Sequence, residues 1–427
     1  MSDSHSIAPN TASAETAGPL KTADGKPLKV ALARAQARSR RRAFLLVAPL
    51  LLFVVITFVV PIFQLLAQSV NDPSFSRAAP NMVEWFAQNP DAEPDEAAYA
   101  ALVADLVEMK KNRTAADAGT RINYELSGSR SLFTSAARSA DRMEAPFMEA
   151  MLDKDEKWGD PMLWQVMRGA STGFTINFYL AALDMTRDAE GNIIAAPEDR
   201  QIYVKLFIRT FVLSALIMLT TFILGFPVAH LLAVLPMRTS NLLMILVLLP
   251  FWTSLLVRTT AWIALLQREG VINSLLVSVG VIGEDGRLSM IYNQAGTVIA
   301  MTHILLPFMI LPLYSVMRPI PPSYVRAARS LGATSFTAFW RVYFPQTVPG
   351  IAAGGLLVFI LAVGYYITPA LVGGASGQLI SNLIAFHMND SYNWSLASAL
   401  AALLLFAVLV LYWLYDRMIG IDRMKLG

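Results

Sequence analysis

Six apolar runs, each long enough to cross a bilayer as a helix, constrain this chain more than any other feature. They cover residues 43–67, 208–235, 242–266, 295–316, 350–372 and 396–415. A helix rises about 1.5 Å per residue, so about 20 apolar residues match a hydrocarbon core of about 30 Å. Lipid offers the backbone no hydrogen-bond partners, so these runs are expected to be helices. Charged residues make up only 15% of the chain, where a soluble domain carries about a quarter. Cysteine is absent, which excludes a disulfide framework and a thiolate metal site.

Charge sets the expected orientation. Residues 1–42 hold eight Lys/Arg against three Asp/Glu. The turn 236–241 carries Arg238 alone, the loop 317–349 has four Arg and no acid, and residues 416–427 have three basic residues against two acidic. If the six runs alternate, all four segments fall on one side. Basic residues mark the cytoplasmic face, so both termini are expected there. The long segment 71–207 falls on the other side, with 22 acidic and 14 basic residues.

Residues 1–42 have few large apolar side chains and are expected to form a disordered tail. The tail ends in Arg38, Arg40, Arg41 and Arg42. The stretch SRRRAFL resembles a twin-arginine export signal, but its apolar run is too long and further spans follow, so the first run (43–70) reads as a retained span. Seven prolines (Pro49, Pro61, Pro227, Pro250, Pro307, Pro312 and Pro369) lie in or at the ends of the runs and read as local kinks. In the external segment, a start signal at Pro94, Asp95 and Glu96 precedes Tyr99, Leu102, Val103, Leu106 and Met109, the spacing of an amphipathic helix over 93–111. Helical patterns recur over 131–151 and 162–167, and no strand run matches them. A small helical domain or an extended helical insertion is expected.

The loop between the fourth and fifth runs holds about thirty residues where a few would connect two spans. In residues 323–351, Ser323 is expected to cap a helix with apolar positions Val325, Ala328 and Leu331, and Gly332 to supply a sharp turn. A second helix presenting Phe336, Phe339, Trp340 and Tyr343 is expected to lie along the membrane surface before Pro345 and Pro349. Such a bent pair reads as a docking surface.

Here the chain resembles the permeases of ABC importers, whose signature loop reads Glu-Ala-Ala, three residues, Gly, nine residues, Ile, one residue, Leu-Pro. Ala327 and Ala328 precede Leu331, Gly332 falls on the motif glycine, and Val342, Phe344 and Pro345 fall on Ile, Leu and Pro. Arg326 stands where the motif has glutamate. Residues 248–276, 306–317 and 364–374 resemble the spermidine and putrescine branch. The resemblance covers residues 43–72 and 173–427 and omits about 75–170. It implies an all-α membrane protein with six transmembrane helices of the MetI-like type, an external insertion over 71–207, and a permease core over 208–427 with its coupling loop at 318–349. It assigns ATPase coupling to Arg326, Ala327, Ala328, Leu331, Gly332, Phe336, Val342 and Pro345. Two ATPase subunits, a second permease, a periplasmic binding protein and the lipid of a bacterial inner membrane are the implied partners, with no nucleic acid. ATP and Mg would be held by the ATPase subunits.

Polar groups inside spans are costly and mark function by default. Trp252, Thr253, Arg258, Thr259, Trp262, His303, Tyr365, Tyr366 and Thr368 are the candidate pathway residues. Thr302 is expected in an interhelical hydrogen bond, and Arg209 and His230 near span ends. The six runs contain no Asp or Glu, so a polycation would have to cross on aromatic faces, carbonyls or carboxylates of the partner permease, with Arg258 opposing it. A phosphate loop is absent, since the Gly25-Lys26 pair lacks both the preceding Gly and the following Ser/Thr. The chain is therefore expected not to be an enzyme. Polyamine import is the leading reading. Import of another small polar solute and a membrane-anchored sensor or assembly protein are the alternatives.

Overall fold

The computed structural model describes residues 28–419. The expectations for residues 1–27 and for Arg423 and Lys425 lie outside them. The chain divides into two units, residues 1–64 and 65–427.

In the first unit a helix runs from Leu28 to Val54 and continues through a π-helical turn, Val55–Val59, into Val60–Gln68. Residues 28–42 are thus helical, correcting the expectation of a disordered tail throughout 1–42. Their Ala, Leu, Arg and Gln are strong helix formers. Pro61 follows the π turn, which widens the helix where a proline ring would crowd the preceding turn. Gln36–Gln68 is long and apolar enough to cross a membrane.

In the second unit, seven helices build one helical domain: Ser74–Ala78, Pro80–Gln88, Glu96–Asn112, Ala115–Asn123, Ser129–Ser139, Phe147–Lys154 and Pro161–Ser171. Its core runs from Phe75 to Ala170, the stretch that the family resemblance leaves out. Glu96–Asn112 starts where the Asp95 carboxylate accepts from the Ala98 N–H, and it ends at Arg113 in the left-handed region. Its buried face holds Tyr99, Leu102, Val103, Leu106 and Met109, as the spacing predicts. Tyr99 Oη and Trp164 Nε1 both donate to the Trp158 carbonyl, at 2.9 and 2.7 Å. Asp105 is fully buried and accepts from the Asn81 N–H, Asn81 Nδ2 and the Met82 N–H, satisfying the start of Pro80–Gln88. Burial raises its carboxyl above the ordinary carboxylate range, against those three bonds.

Two sequence expectations change here. The pattern over 131–151 is two helices, because Pro146 disfavours helix at Ala145 and the chain restarts at Phe147. A short antiparallel hairpin, Met185–Arg187 with Ile193–Ala195, also forms where no strand was expected, closed at Gly191 in the left-handed region. Three residues per strand leave too short an alternation to read.

The membrane region contains the helices Tyr203–Val234, Gln294–Met317, Ser335–Gly364 and Trp394–Arg417, each long and apolar enough to span. The pair Met237–Trp252 and Leu255–Ser278 is bent by 96°. The third run, 242–266, is therefore not a straight span. Pro250 removes a backbone donor, and Ser254 starts the second arm by accepting from the Val257 N–H. The fifth run also stops at Gly364 rather than Val372, with Ile367–Val372, Gly374–Gly377 and Ile380–Asn389 following as separate pieces.

Tyr203–Val234, Gln294–Met317 and Ser335–Gly364 form the packed centre, with Ile217, Met309, Leu313 and Val358 buried among them. A Cβ at Gly354 would lie 3.1 Å from the Met309 carbonyl, and one at Gly350 3.2 Å from the Leu313 Cα. Small residues thus let two helices approach at backbone distance. At one end of the bundle, Phe178 and Ala182 pack on Leu396 and Leu400 beside the helical domain. At the other end, Arg318 Nη1 donates to the Ala233 and Leu235 carbonyls at 2.6 and 3.0 Å, closing the C-terminus of Tyr203–Val234. The helical domain and the 318–334 loop therefore sit at opposite ends of the bundle.

Candidate functional site

Two sites emerge, one at each level of the bundle. The first is the loop after Gln294–Met317. A short helix, Pro322–Ser330, begins with Pro322 at its first position, and Ser323 does not cap it. Its end is closed by two bonds, Gly332 N–H to the Arg329 carbonyl and Ala333 N–H to the Ala328 carbonyl, both 3.0 Å. This is a Schellman closure with Gly332 at φ +92°, a conformation that favours glycine. Thr334 then caps Ser335 onward by accepting from the Thr337 N–H.

The second half of the loop does not lie along the membrane surface. It is the first turns of the Ser335–Gly364 helix itself, so the loop is a short lever joined by one turn to a span. A π-helical turn, Phe339–Tyr343, precedes Pro345 and accommodates its ring. Phe339 and Tyr343 face inward, and Tyr343 Oη and His230 Nδ1 are 3.0 Å apart. Leu331 is 89% exposed and Phe336 73%. Leu331 therefore does not join Val325 and Ala328 on the packed side as expected; the closing turn rotates it outward. Arg326 is exposed and makes no ion pair among the described residues. Ala327 is exposed, Val342 partly buried and Pro345 exposed. A cleft of about 820 Å³ opens beside the lever, lined by His230, Pro236, Arg318, Val325, Arg326 and Phe339 among others.

The second site lies inside the bundle. Thr259 on the second arm of the bent pair and Thr368 after the fifth helix are both fully buried, with hydroxyls 3.2 Å apart. One turn along the same arm, Trp262 Nε1 donates to His303 Nδ1 at 3.1 Å. Arg258 is partly buried and lies one turn before Trp262 on the same arm. Thr259, Trp262, His303 and Thr368 thus come together from three separate segments, with Arg258 one turn before Trp262 and Tyr365 three residues before Thr368. Trp252 and Thr253 remain outside at the bend, where Trp252 is 82% exposed and Thr253 Oγ1 donates to the Pro250 carbonyl. Tyr366 is exposed beyond the break.

Thr302 makes the expected interhelical bond, at 2.7 Å from Thr220. Arg209 donates to the Ala375 carbonyl, and His230 belongs to the lever site. Sequence reasoning did not single out Ser381 and Asn382. Their side chains donate to the Tyr365 and Tyr366 carbonyls at 2.6 and 2.7 Å, satisfying the broken backbone at the end of the fifth helix. Arg318 was counted in a basic loop, and only its position one residue beyond a span end hinted at a helix-closing role.

The profile described as "Binding-protein-dependent transport system inner membrane component" matches residues 207–420. The spermidine/putrescine transport system permease protein PotB of Haemophilus influenzae is 33% identical over 246 residues, covering 56% of this chain and 85% of that protein. PotB of Escherichia coli K12 is 33% identical over 222 residues, covering 51% and 80%. The inner membrane ABC transporter permease protein YdcU of Escherichia coli is 30% identical over 225 residues, covering 50% and 71%. A crystal structure of a bacterial ABC transporter involved in alginate import aligns with 69% of this chain and 100% of that chain, at 18% identity and a TM-score of 0.48.

Proposed function

This chain belongs to the binding-protein-dependent transport system inner membrane component family, and from that premise we propose that it is the permease that turns ATPase closure into solute import. It is a multi-pass inner-membrane transport protein and not a catalytic enzyme. The observation that carries the coupling role is the lever. The closing turn after Pro322–Ser330 presents Leu331, and the first turn of Ser335–Gly364 presents Phe336, to the outside, at the end of the bundle away from the helical domain. Exposed large apolar side chains clustered at a tight interhelical turn are what a protein partner covers. Two ATPase subunits would hold ATP and Mg and supply the free energy of hydrolysis.

A push on the lever has a defined route. The Gly332 closure joins it to Ser335–Gly364, and His230 and Tyr343 join that helix to Tyr203–Val234. At the far end of Ser335–Gly364 lies the Tyr365–Thr368 break, held through Ser381, Asn382 and Thr259. Tilting the helix would move Tyr365 and Thr368 against Arg258 and Trp262, opening or closing the polar site toward either face. A second permease completes the pathway, a binding protein delivers the solute, and the helical domain and hairpin face outside with both termini cytoplasmic. The solute is a small amine, the chemistry named for the PotB relatives. Aromatic faces at Trp262 and Tyr365 suit an ammonium group.

The test is ATP-dependent uptake by the complete complex in proteoliposomes, with labelled putrescine and spermidine as probes. ATP-coupled uptake that requires the binding protein supports the reading. A chain that assembles without any ATPase subunit and supports no uptake would make it a membrane-anchored sensor or assembly protein.

A further inference from the structure

Arg326 stands in the lever cleft as a cation without a counter-ion. The other polar side chains there are occupied: Arg318 donates to the Ala233 and Leu235 carbonyls, and His230 meets Tyr343. Arg326 lines the same cleft of about 820 Å³, is exposed, and belongs to none of the five ion pairs among the described residues. No residue lining the cleft is acidic. Residues 317–349 hold four Arg and no Asp or Glu, and residues 230–241 at the other wall add Arg238 and no acid. Neither wall can therefore neutralise it. Arg329, also exposed, follows three residues later on the same short helix, a spacing at which like charges repel.

The cleft is otherwise apolar, with Ile320, Val325 and Phe339 packed against the bundle. A guanidinium fork set against apolar walls suits a carboxylate, which it binds through two parallel hydrogen bonds. The signature loop of the family has glutamate where this chain has Arg326, so a surface complementary to that glutamate would have the wrong sign here. We infer that the contact is charge-inverted: the ATPase subunit that covers Leu331 and Phe336 places an Asp or Glu in the cleft, paired with Arg326. This inference rests on the coupling role proposed above and names the chemistry of the surface that meets it. An anionic lipid headgroup has the same sign, but the exposed Leu331 and Phe336 on the same loop extend the contact as a protein partner would.

The test returns the motif's own residue. The full permease pair, in nanodiscs of neutral phosphatidylcholine, is titrated with the ATPase subunits of the same transporter. Arg326→Gln should weaken their binding about three- to thirtyfold and Arg326→Glu about a hundredfold, while Arg326→Lys keeps part of it. Wild-type affinity should fall as salt rises, and less steeply in Arg326→Gln. Size-exclusion chromatography establishes that each variant is intact; if Arg326→Glu is not, the glutamine and lysine variants decide by their order. Arg326→Glu binding as well as or better than wild type overturns the inference and leaves the lever's docking role standing. An effect that appears only when phosphatidylglycerol is added to the discs assigns Arg326 to lipid and also overturns it. Wild type that binds no ATPase subunit in either disc overturns the coupling reading beneath.

Discussion

Replacing Gly332 with valine isolates the lever's closing turn, because the structure separates its steric cost from its conformational cost. A Cβ at Gly332 would meet nothing within 4 Å, so no neighbour has to move. The whole penalty comes from φ +92°. Holding an L-residue in that region costs about 1–3 kcal/mol, at the upper end for a β-branched side chain. An exposed loop can escape the cost by giving up the bonds from Gly332 N–H to Arg329 and Ala333 N–H to Ala328. For valine a penalty of about 2–3 kcal/mol lowers the closed-turn population about thirty- to a hundred-and-fiftyfold. The expected phenotype is normal insertion and assembly, continued ATP hydrolysis, and solute uptake reduced by a similar factor, with Gly332→Ala milder than Gly332→Val. The assay is parallel measurement of hydrolysis and uptake in proteoliposomes. Wild-type uptake by Gly332→Val would refute the claim that this turn transmits the stroke.

Arg318→Ala should loosen the lever end of the bundle by freeing the Ala233 and Leu235 carbonyls; two lost charge-assisted bonds cost about 2–4 kcal/mol, read as a lower thermal midpoint of the full chain in detergent. Asp105→Ala should unfold the helical domain preferentially, by about 2–3 kcal/mol for three abandoned donors at Asn81 and Met82, seen as faster proteolysis between residues 75 and 170 with the spans intact. The pH dependence has a defined sign. Because burial raises the Asp105 carboxyl in the folded domain, wild-type stability relative to Asp105→Asn is greatest below the ordinary carboxylate pKa and declines as pH rises through the folded value. Hydrogen-exchange protection across that range checks it, and a difference that grows with pH would be the wrong sign.

Much of this architecture was legible because it follows from local rules. Tyr99, Leu102, Val103, Leu106 and Met109 lie on the buried side because period 3.6 puts them there, and Asp95 caps because its carboxylate reaches Ala98 N–H. Gly332 was readable as a turn because few other residues tolerate its backbone. The three misreadings in the spans share one cause. Hydropathy reports apolar length and is blind to direction, so the 96° bend at 252–255 and the break after Gly364 both hid within apolar runs. The same blindness set Phe336–Tyr343 on a membrane surface, when they begin a span. Trp262 and His303 stood out by type in the sequence, but their hydrogen bond joins two distant segments. Only the fold brings those together.

The sequence has no cysteine, so a single introduced thiol reports on its own surroundings. Leu331→Cys, with Phe336→Cys beside it, is cross-linked by a short bifunctional thiol reagent in membranes that contain the whole complex. If the lever receives the ATPase stroke, Leu331→Cys forms an adduct with an ATPase subunit, its yield changes with trapped nucleotide, and a membrane-impermeant thiol reagent added outside intact cells does not reach it. Labelling from outside, or no ATPase adduct in any nucleotide state, would contradict the account.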